Sequence, residues 1–209
     1  MRSAVRYPLL CAVLATCLSL PPVAVRAADF SDPTWPCIQR KVENLSVGLM
    51  WPYPVEPVDL PSDIQQSVDT LVSRLVLRRI PVEELAPDVA AFAETHGHQV
   101  TLLSHVFSKA FNTLAGTRRK LMTGIGDYSL KQIALAEKID DTRARMDELM
   151  AADSPDFDQV DALEEQLDWD ERIYTDRARS LTYVCESPVL IEKRLYAIAQ
   201  LLQAAMTAE

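Results

Sequence analysis

Apolar residues recur every three or four positions along most of this chain after residue 61. Between Asp127 and Cys185, two such runs are separated by the polar stretch Asp153-Ser154-Pro155-Asp156. Positions three, four and seven apart lie on one side of an α-helix. The pattern therefore predicts a long antiparallel helical hairpin over residues 127–185 with an apolar seam. The seam residues are Tyr128, Leu135, Ile139, Met146, Leu149 and Met150 in the first arm, and Val160, Leu163, Leu167, Tyr174, Ala178, Leu181 and Cys185 in the second.

The polar stretch has the chemistry of a helix end followed by a helix start. Ser154 can accept hydrogen bonds from the free amides of the second arm, and Pro155 suits the first helical position. The carboxylate of Asp156 is favoured near the positive end of a helix. Asp127 can likewise begin a helix, although the helical spacing of apolar residues continues across it, through Leu121, Ile125 and Tyr128. The sequence therefore predicts either two helices or one kinked helix over residues 98–152.

Other runs of helical periodicity lie outside the hairpin. One begins at Pro61-Ser62-Asp63 and ends before Pro81, and a short one over residues 87–94 is followed by Gly97. Because Ser187-Pro188 repeats the pattern of a cap followed by proline, a last helix is predicted to begin there. No apolar–polar alternation bounded by turns competes with these helices, so the chain is predicted to be all-α.

The predicted architecture is a helical bundle with a long antiparallel coiled-coil-like helical hairpin and a proline-rich N-terminal strap. The distal hairpin, about residues 135–172, is expected to project beyond the bundle. The bundle helices are expected near residues 62–80, 98–122, 172–185 and 188–206. The predicted regions are a signal peptide over residues 1–27, the strap over residues 28–61 and the helical domain over residues 62–209.

The strap contains six prolines, which prevent a continuous helix. Within it, only Ile38–Leu45 is predicted to form a helical turn. Trp51 and Tyr53 lie among the prolines, and packing them on the helices would keep large aromatic rings out of water. The alternative is that Trp51-Pro52-Tyr53-Pro54 is a displayed polyproline-type ligand.

The first 27 residues have the features of a secretory signal peptide. Arg2 and Arg6 form a basic start, and Leu9–Leu20 is apolar but short for a membrane span. Small residues in Val25-Arg26-Ala27 favour cleavage after residue 27. A lipid anchor at Cys17 and an uncleaved membrane anchor are the alternatives. The mature protein is therefore expected to be exported, to the periplasm if bacterial and otherwise secreted, without a stable membrane span.

Removal of the signal peptide leaves two cysteines, Cys37 and Cys185. An even number in an oxidising compartment predicts one disulfide, which would join the strap to the base of the hairpin. Two separate buried thiols are the alternative. Since Cys185 lies on the apolar side of its helix, neither alternative provides an exposed thiol nucleophile.

The formal net charge is −9, and the acidic excess is concentrated in the distal hairpin. Fourteen acidic and four basic residues lie between Glu137 and Arg172, a net charge of −10. Such a surface repels nucleic acid and anionic lipid, so neither is a predicted partner. The acids indicate either a solvated helix surface or an electrostatic docking site for a basic partner.

Residue types with metal-binding chemistry form one local group. All three histidines lie within ten residues, and Glu94 precedes His96 and His98. A small loop at a helix start can bring two imidazoles to one metal ion, whereas His105 lies two turns further along. No nucleophile elbow and no phosphate-binding glycine loop occur in the sequence. Accordingly, no catalytic residue and no cofactor are predicted.

Two apolar residues are expected outside the seam of the second arm. If the seam centres on Leu167, Trp169 points away from it and Ile173 lies one turn further on the same outer side. Asp168 and Asp170 flank the tryptophan. This group indicates either an interaction site with an acidic rim or packing against another element of the same chain, such as the strap around Trp51.

The leading hypothesis is an exported helical protein that acts by protein–protein contact, as an adaptor, a chaperone-like protein or a self-associating subunit. It follows from the acidic hairpin, the Trp169/Ile173 group and the lack of catalytic motifs. The alternative is an exported protein that binds a small ligand or a metal through the His96/His98 region or an aromatic cleft beside Trp51.

Overall fold

The computed structural model describes residue 32 and residues 34–206. Its helical elements are, in chain order, a 3₁₀ turn at Val47–Leu49, α1 at Ser62–Leu75, a 3₁₀ turn at Val82–Leu85, α2 at Ala86–His96, α3 at Val100–Met150 and α4 at Phe157–Met206. No strand occurs in these residues. Because α3 and α4 pack extensively against each other, the predicted all-α fold with a long antiparallel hairpin is confirmed.

The predictions about the N-terminal 27 residues, both the signal peptide and the alternative lipid or membrane anchors, lie outside the described residues. Among the helices that the structure does describe, none is both long enough and apolar enough to span a bilayer.

α3 is one continuous helix of 51 residues, about 75 Å long at the α-helical rise. Of the two alternatives predicted for residues 98–152, two helices or one, the structure shows one. Asp127 lies inside this helix and does not begin a new one. The apolar residues Phe107, Leu114 and Ile125 lie on one side of the helix and are all buried. Burial along one side stabilises the helix across its glycines, although each glycine costs about 1 kcal/mol relative to alanine.

α4 is likewise one helix, of 50 residues, so the prediction that a last helix begins at Ser187-Pro188 is wrong. Pro188 lies inside α4, where proline removes a backbone hydrogen bond and normally costs about 3 kcal/mol. The helix continues because it is held on both sides of this residue. Cys185 is buried in the strap contact, and Ile191 is buried in the main core. Tertiary packing therefore outweighs the local sequence signal.

The residue that caps α4 differs from the predicted one. α4 begins at Phe157, and the Asp156 carboxylate accepts a hydrogen bond from the Gln159 backbone amide at 3.1 Å. Ser154 and Pro155 precede the helix, so the predicted cap at Ser154 and first helical position at Pro155 are wrong. Asp156 is favoured because it combines a cap with a negative charge at the positive helix end.

The main core lies where α1, α2, the first part of α3 and the last part of α4 meet, and Trp51 of the strap belongs to it. Trp51 is 2% exposed and stacks on Phe107 with 4.6 Å between ring centroids. Its Nε1 donates a hydrogen bond to Ser104 Oγ at 2.9 Å. The packed strap is therefore confirmed for Trp51, and the displayed polyproline ligand is wrong.

A second, smaller cluster ties the strap to the base of the hairpin. Cys37 and Cys185, 148 residues apart, form the predicted disulfide, and Ile125 of α3 is buried beside them. The alternative of two separate thiols is wrong. The strap is thus attached covalently to α4 and by apolar packing to α3.

Ile38–Leu45 does not form the predicted helical turn, which occurs at Val47–Leu49 instead. The guanidinium of Arg118, a residue 3% exposed, donates to the Val42 carbonyl at 2.6 Å and to the Glu43 carbonyl at 3.2 Å. Because these carbonyls bond to a side chain of α3, the strap has partners for its backbone without becoming helical.

Replacing both cysteines (Cys37→Ser with Cys185→Ser) is expected to lower the free energy of unfolding by about 2–5 kcal/mol. The physical reason is that the unfolded chain gains freedom when a bridge between such distant residues is removed. Denaturant unfolding followed by circular dichroism measures the loss. Reductant should reproduce it in the parent protein and leave the double variant unchanged; equal stability of oxidised parent and variant would contradict the prediction.

Candidate functional site

Beyond the strap, α3 and α4 continue as a two-helix structure, residues 131–176, which we call the arm. It is about 30 Å long at the α-helical rise. The polar contacts between its helices are Gln132 Nε2 to the Tyr174 carbonyl at 3.1 Å, Lys138 to Asp170 at 2.8 Å and Arg143 to Glu171 at 2.5 Å. Ile139 and Val160 are the only apolar side chains of the arm that are almost fully buried. The arm is therefore thin and held by ion pairs as well as by apolar packing.

The seam of the arm differs from the predicted one on α4. Tyr174 is 38% exposed, whereas Ile173 is partly buried and Asp170 is only 5% exposed. Ile173 lies one turn after Trp169 on the same side of α4 but is partly buried, whereas Trp169 is largely exposed. The placement of Asp170 in an exposed acidic rim is wrong, because its carboxylate pairs with Lys138 of α3. A buried carboxylate needs such a partner, and this pair draws that side of α4 toward α3.

Trp169 itself lies outside the seam, as the helical spacing indicates, and is 62% exposed. Asp168 beside it is exposed as well. The alternative that the strap covers Trp169 is wrong, because Trp51 of the strap is buried in the main core. A large indole therefore remains in water on the acidic arm.

A groove of about 380 Å³ runs between α3 and α4. Its lining residues are Ala136, Ile139, Asp140, Arg143, Glu171, Tyr174 and Thr175. This groove was not predicted from the sequence. The available signal was a second stripe on α3 with spacings of three and four, formed by Ile133, Ala136, Asp140, Arg143, Asp147 and Met150. Because the central residues of this stripe are charged, the sequence pattern looks like an ordinary solvent-exposed helix side.

The candidate metal ligands have separate surroundings. His98 Nδ1 lies 2.6 Å from the Ala205 carbonyl oxygen, and the His96 ring packs on Phe92 at 5.0 Å between centroids. Glu94 is exposed. Within the described chain, no group of three or more histidine, cysteine, aspartate or glutamate side chains is placed to hold a metal ion.

The aromatic cleft predicted beside Trp51 is filled by the protein's own rings. Phe107 stacks on the indole, and Tyr53 meets it edge-on at 5.6 Å between centroids. Since Trp51 is 2% exposed, this prediction is wrong. Burial of the strap uses the aromatic surface that a ligand would need.

No protein-family model, curated protein or solved structure matches this chain. The structure itself therefore defines the class: an all-α protein with a disulfide-tethered strap and an acidic two-helix arm. Its candidate functional surfaces are Trp169 with Asp168 and the groove between α3 and α4.

His105 stands apart from the other histidines and is partly buried in α3. Burial lowers its pKa below the ordinary value of 6.5; the charge of Lys109 lowers it further, and that of Asp69 raises it. Its Nε2 is buried without a hydrogen-bond partner among the described residues. The folded protein therefore resists protonation of this ring.

The free energy of unfolding is expected to fall as the pH drops through about 6.5, because the unfolded state then takes up a proton that folded His105 resists. His105→Gln should remove this part of the pH dependence. Urea unfolding at several pH values between about 7.5 and 5 measures it. Identical pH profiles for parent and variant would refute the assignment. The pKa of Asp69 is lowered from 3.8, so its titration falls below this range.

Proposed function

We propose that this protein is a non-enzymatic contact protein that acts outside the cytoplasm and binds a partner protein through its arm, as an adaptor or chaperone-like protein. The observation that carries the proposal is the 62% exposure of Trp169, a large indole on the acidic arm. An indole in water is unfavourable by about 2 kcal/mol relative to a buried one. A partner that covers it would recover this free energy.

The surroundings of Trp169 fit a binding hot spot. Tryptophan is the residue type most enriched at such positions, where it is typically ringed by polar side chains. Asp168 is exposed next to it, and Glu165 lies one helical turn before it and is exposed too. These carboxylates favour a basic partner and disfavour an acidic one.

Charge also argues against pairing between the arms of two copies. Each arm carries a net charge of −10 between Glu137 and Arg172. Helices that pack together lie about 8–10 Å apart, which is close to the Debye length of about 8 Å at physiological salt. Two packed arms would therefore still repel each other after partial screening, so we favour a different protein as the partner.

The disulfide supports the proposed export. Cys37–Cys185 joins segments 148 residues apart and lies in a buried cluster. Such structural disulfides form and persist in oxidising compartments such as the periplasm or the extracellular space. A thin projecting arm with a covalently held base suits a protein that reaches a partner in such a compartment.

Trp169→Ala is expected to abolish a stoichiometric partner complex while changing the free energy of unfolding by no more than about 0.5 kcal/mol, since the side chain is exposed. Native mass spectrometry of the mature protein from its own host, with parent and variant in parallel, measures the complex. Denaturant unfolding of the same samples measures stability.

Tyr183→Ala is the matched control, because Tyr183 is 75% exposed on α4 but lies outside the arm. This variant should keep the complex. A Trp169→Ala protein that unfolds would show that the indole serves the fold, and one that retains the complete complex would remove Trp169 from the interface. Either outcome refutes the proposal.

A further inference from the structure

The groove between α3 and α4 has an apolar floor and charged walls. Ile139 is buried at its bottom, Ala136 is partly buried, and the ring of Tyr174 is 38% exposed along one side. Asp140 and Glu171 form opposite walls, one on each helix. An open groove that runs between two antiparallel helices has the shape that a third helix fills.

One cation of the protein itself bridges this groove. The Arg143 guanidinium lies 3.2 Å from Asp140 on its own helix and 2.5 Å from Glu171 on the facing helix. Its side chain is 53% exposed, and the two carboxylate side chains are 75% and 43% exposed. Exposed ion pairs of this kind contribute only about 0–1 kcal/mol, so a competing cation can replace Arg143 at low cost.

Further acids lie on the same sides of the two helices. Asp147 is seven residues after Asp140 on α3, and Glu164 and Asp168 are seven and three residues before Glu171 on α4. All three are exposed. The groove therefore has a short apolar floor, about two helical turns long, with acidic residues on both helices beside it and Arg143 as the cation between its walls.

We propose that this groove binds a cationic amphipathic helix of a partner protein, which completes a three-helix bundle with α3 and α4. The partner's apolar side packs on Ala136, Ile139 and Tyr174. Its lysine or arginine residues pair with the acidic residues on both helices, and one of them takes the place that Arg143 occupies in the free protein. The charge complementarity selects this occupant, since a second acidic arm, nucleic acid and anionic lipid are all repelled.

This surface adjoins the one around Trp169 and shares Asp168 with it, but the apolar residues of the two surfaces differ. Trp169 precedes Glu171 by two residues, which places it about 200° away around α4, and it does not line the groove. The proposal therefore goes beyond the proposed function, and the two can fail independently.

The probe is a synthetic amphipathic peptide of about 20 residues, matched to the length of the arm, with leucines at helical spacing and lysines elsewhere. Isothermal titration calorimetry measures its binding to the oxidised protein. Two control peptides accompany it: one with glutamate in place of lysine, and one with the same composition scrambled to remove the apolar face. We expect binding of the first peptide and none of the glutamate peptide, with the scrambled peptide at least about tenfold weaker.

Arg143→Ala supplies the sharpest test, because removing the resident cation should tighten binding of the lysine peptide by about three- to fivefold. Arg145→Ala is its matched control. It makes the same change in net charge at an exposed position of α3 that does not line the groove, and should leave affinity within about 1.5-fold. Ala136→Arg places bulk and a positive charge in the groove and should weaken binding more than about tenfold, with folding checked by circular dichroism.

Three results would overturn the proposal: equal binding of the scrambled peptide, equal effects of Arg143→Ala and Arg145→Ala, or unaltered binding to folded Ala136→Arg. Trp169→Ala should bind the lysine peptide as the parent does. If that variant loses the peptide while Ala136→Arg keeps it, the cationic helix binds the Trp169 side and the groove is not its site.

Discussion

The attachment of the strap across α3 and α4 is the constraint on which the remaining structure depends. It consists of the Cys37–Cys185 disulfide and the buried guanidinium of Arg118, which binds strap carbonyls and pairs with Glu192 of α4 at 2.7 Å. These contacts lie between the main core and the arm. Their α4 residues, Cys185 and Glu192, lie on either side of Pro188, which stays inside the helix.

The arm can therefore be thin and polar. Its helices are joined by ion pairs such as Lys138–Asp170, and few of its apolar side chains are fully buried. Exposed ion pairs contribute little to stability, so the base must supply much of the order of this region. With this composition the arm presents acids, an exposed indole and an open groove.

Much of the fold is predictable because helical periodicity extends over many turns. The hairpin, the all-α class and the pairing of Cys37 with Cys185 follow from spacing and from the count of cysteines. Local signals are less reliable where tertiary contacts compete with them. Pro188 does not end a helix, and Val42 lies in an irregular segment because its carbonyl binds Arg118. Trp169 was correctly predicted outside the seam, but the burial of Asp170 was not predicted, since its pairing with Lys138 of α3 has no local signal.

The sequence by itself determined the all-α class, where the chain reverses and where its negative charge lies, because these depend on neighbours within one or two helical turns. Only the tertiary structure decided which flank of each helix faces its partner. Cross-helix pairs such as Arg143–Glu171 join residues 28 apart in the chain, and their geometry has no local signature. The groove is formed by residues of α3 and of α4 that face each other across the hairpin. It therefore depends on how the two helices pack, which the sequence of neither helix specifies.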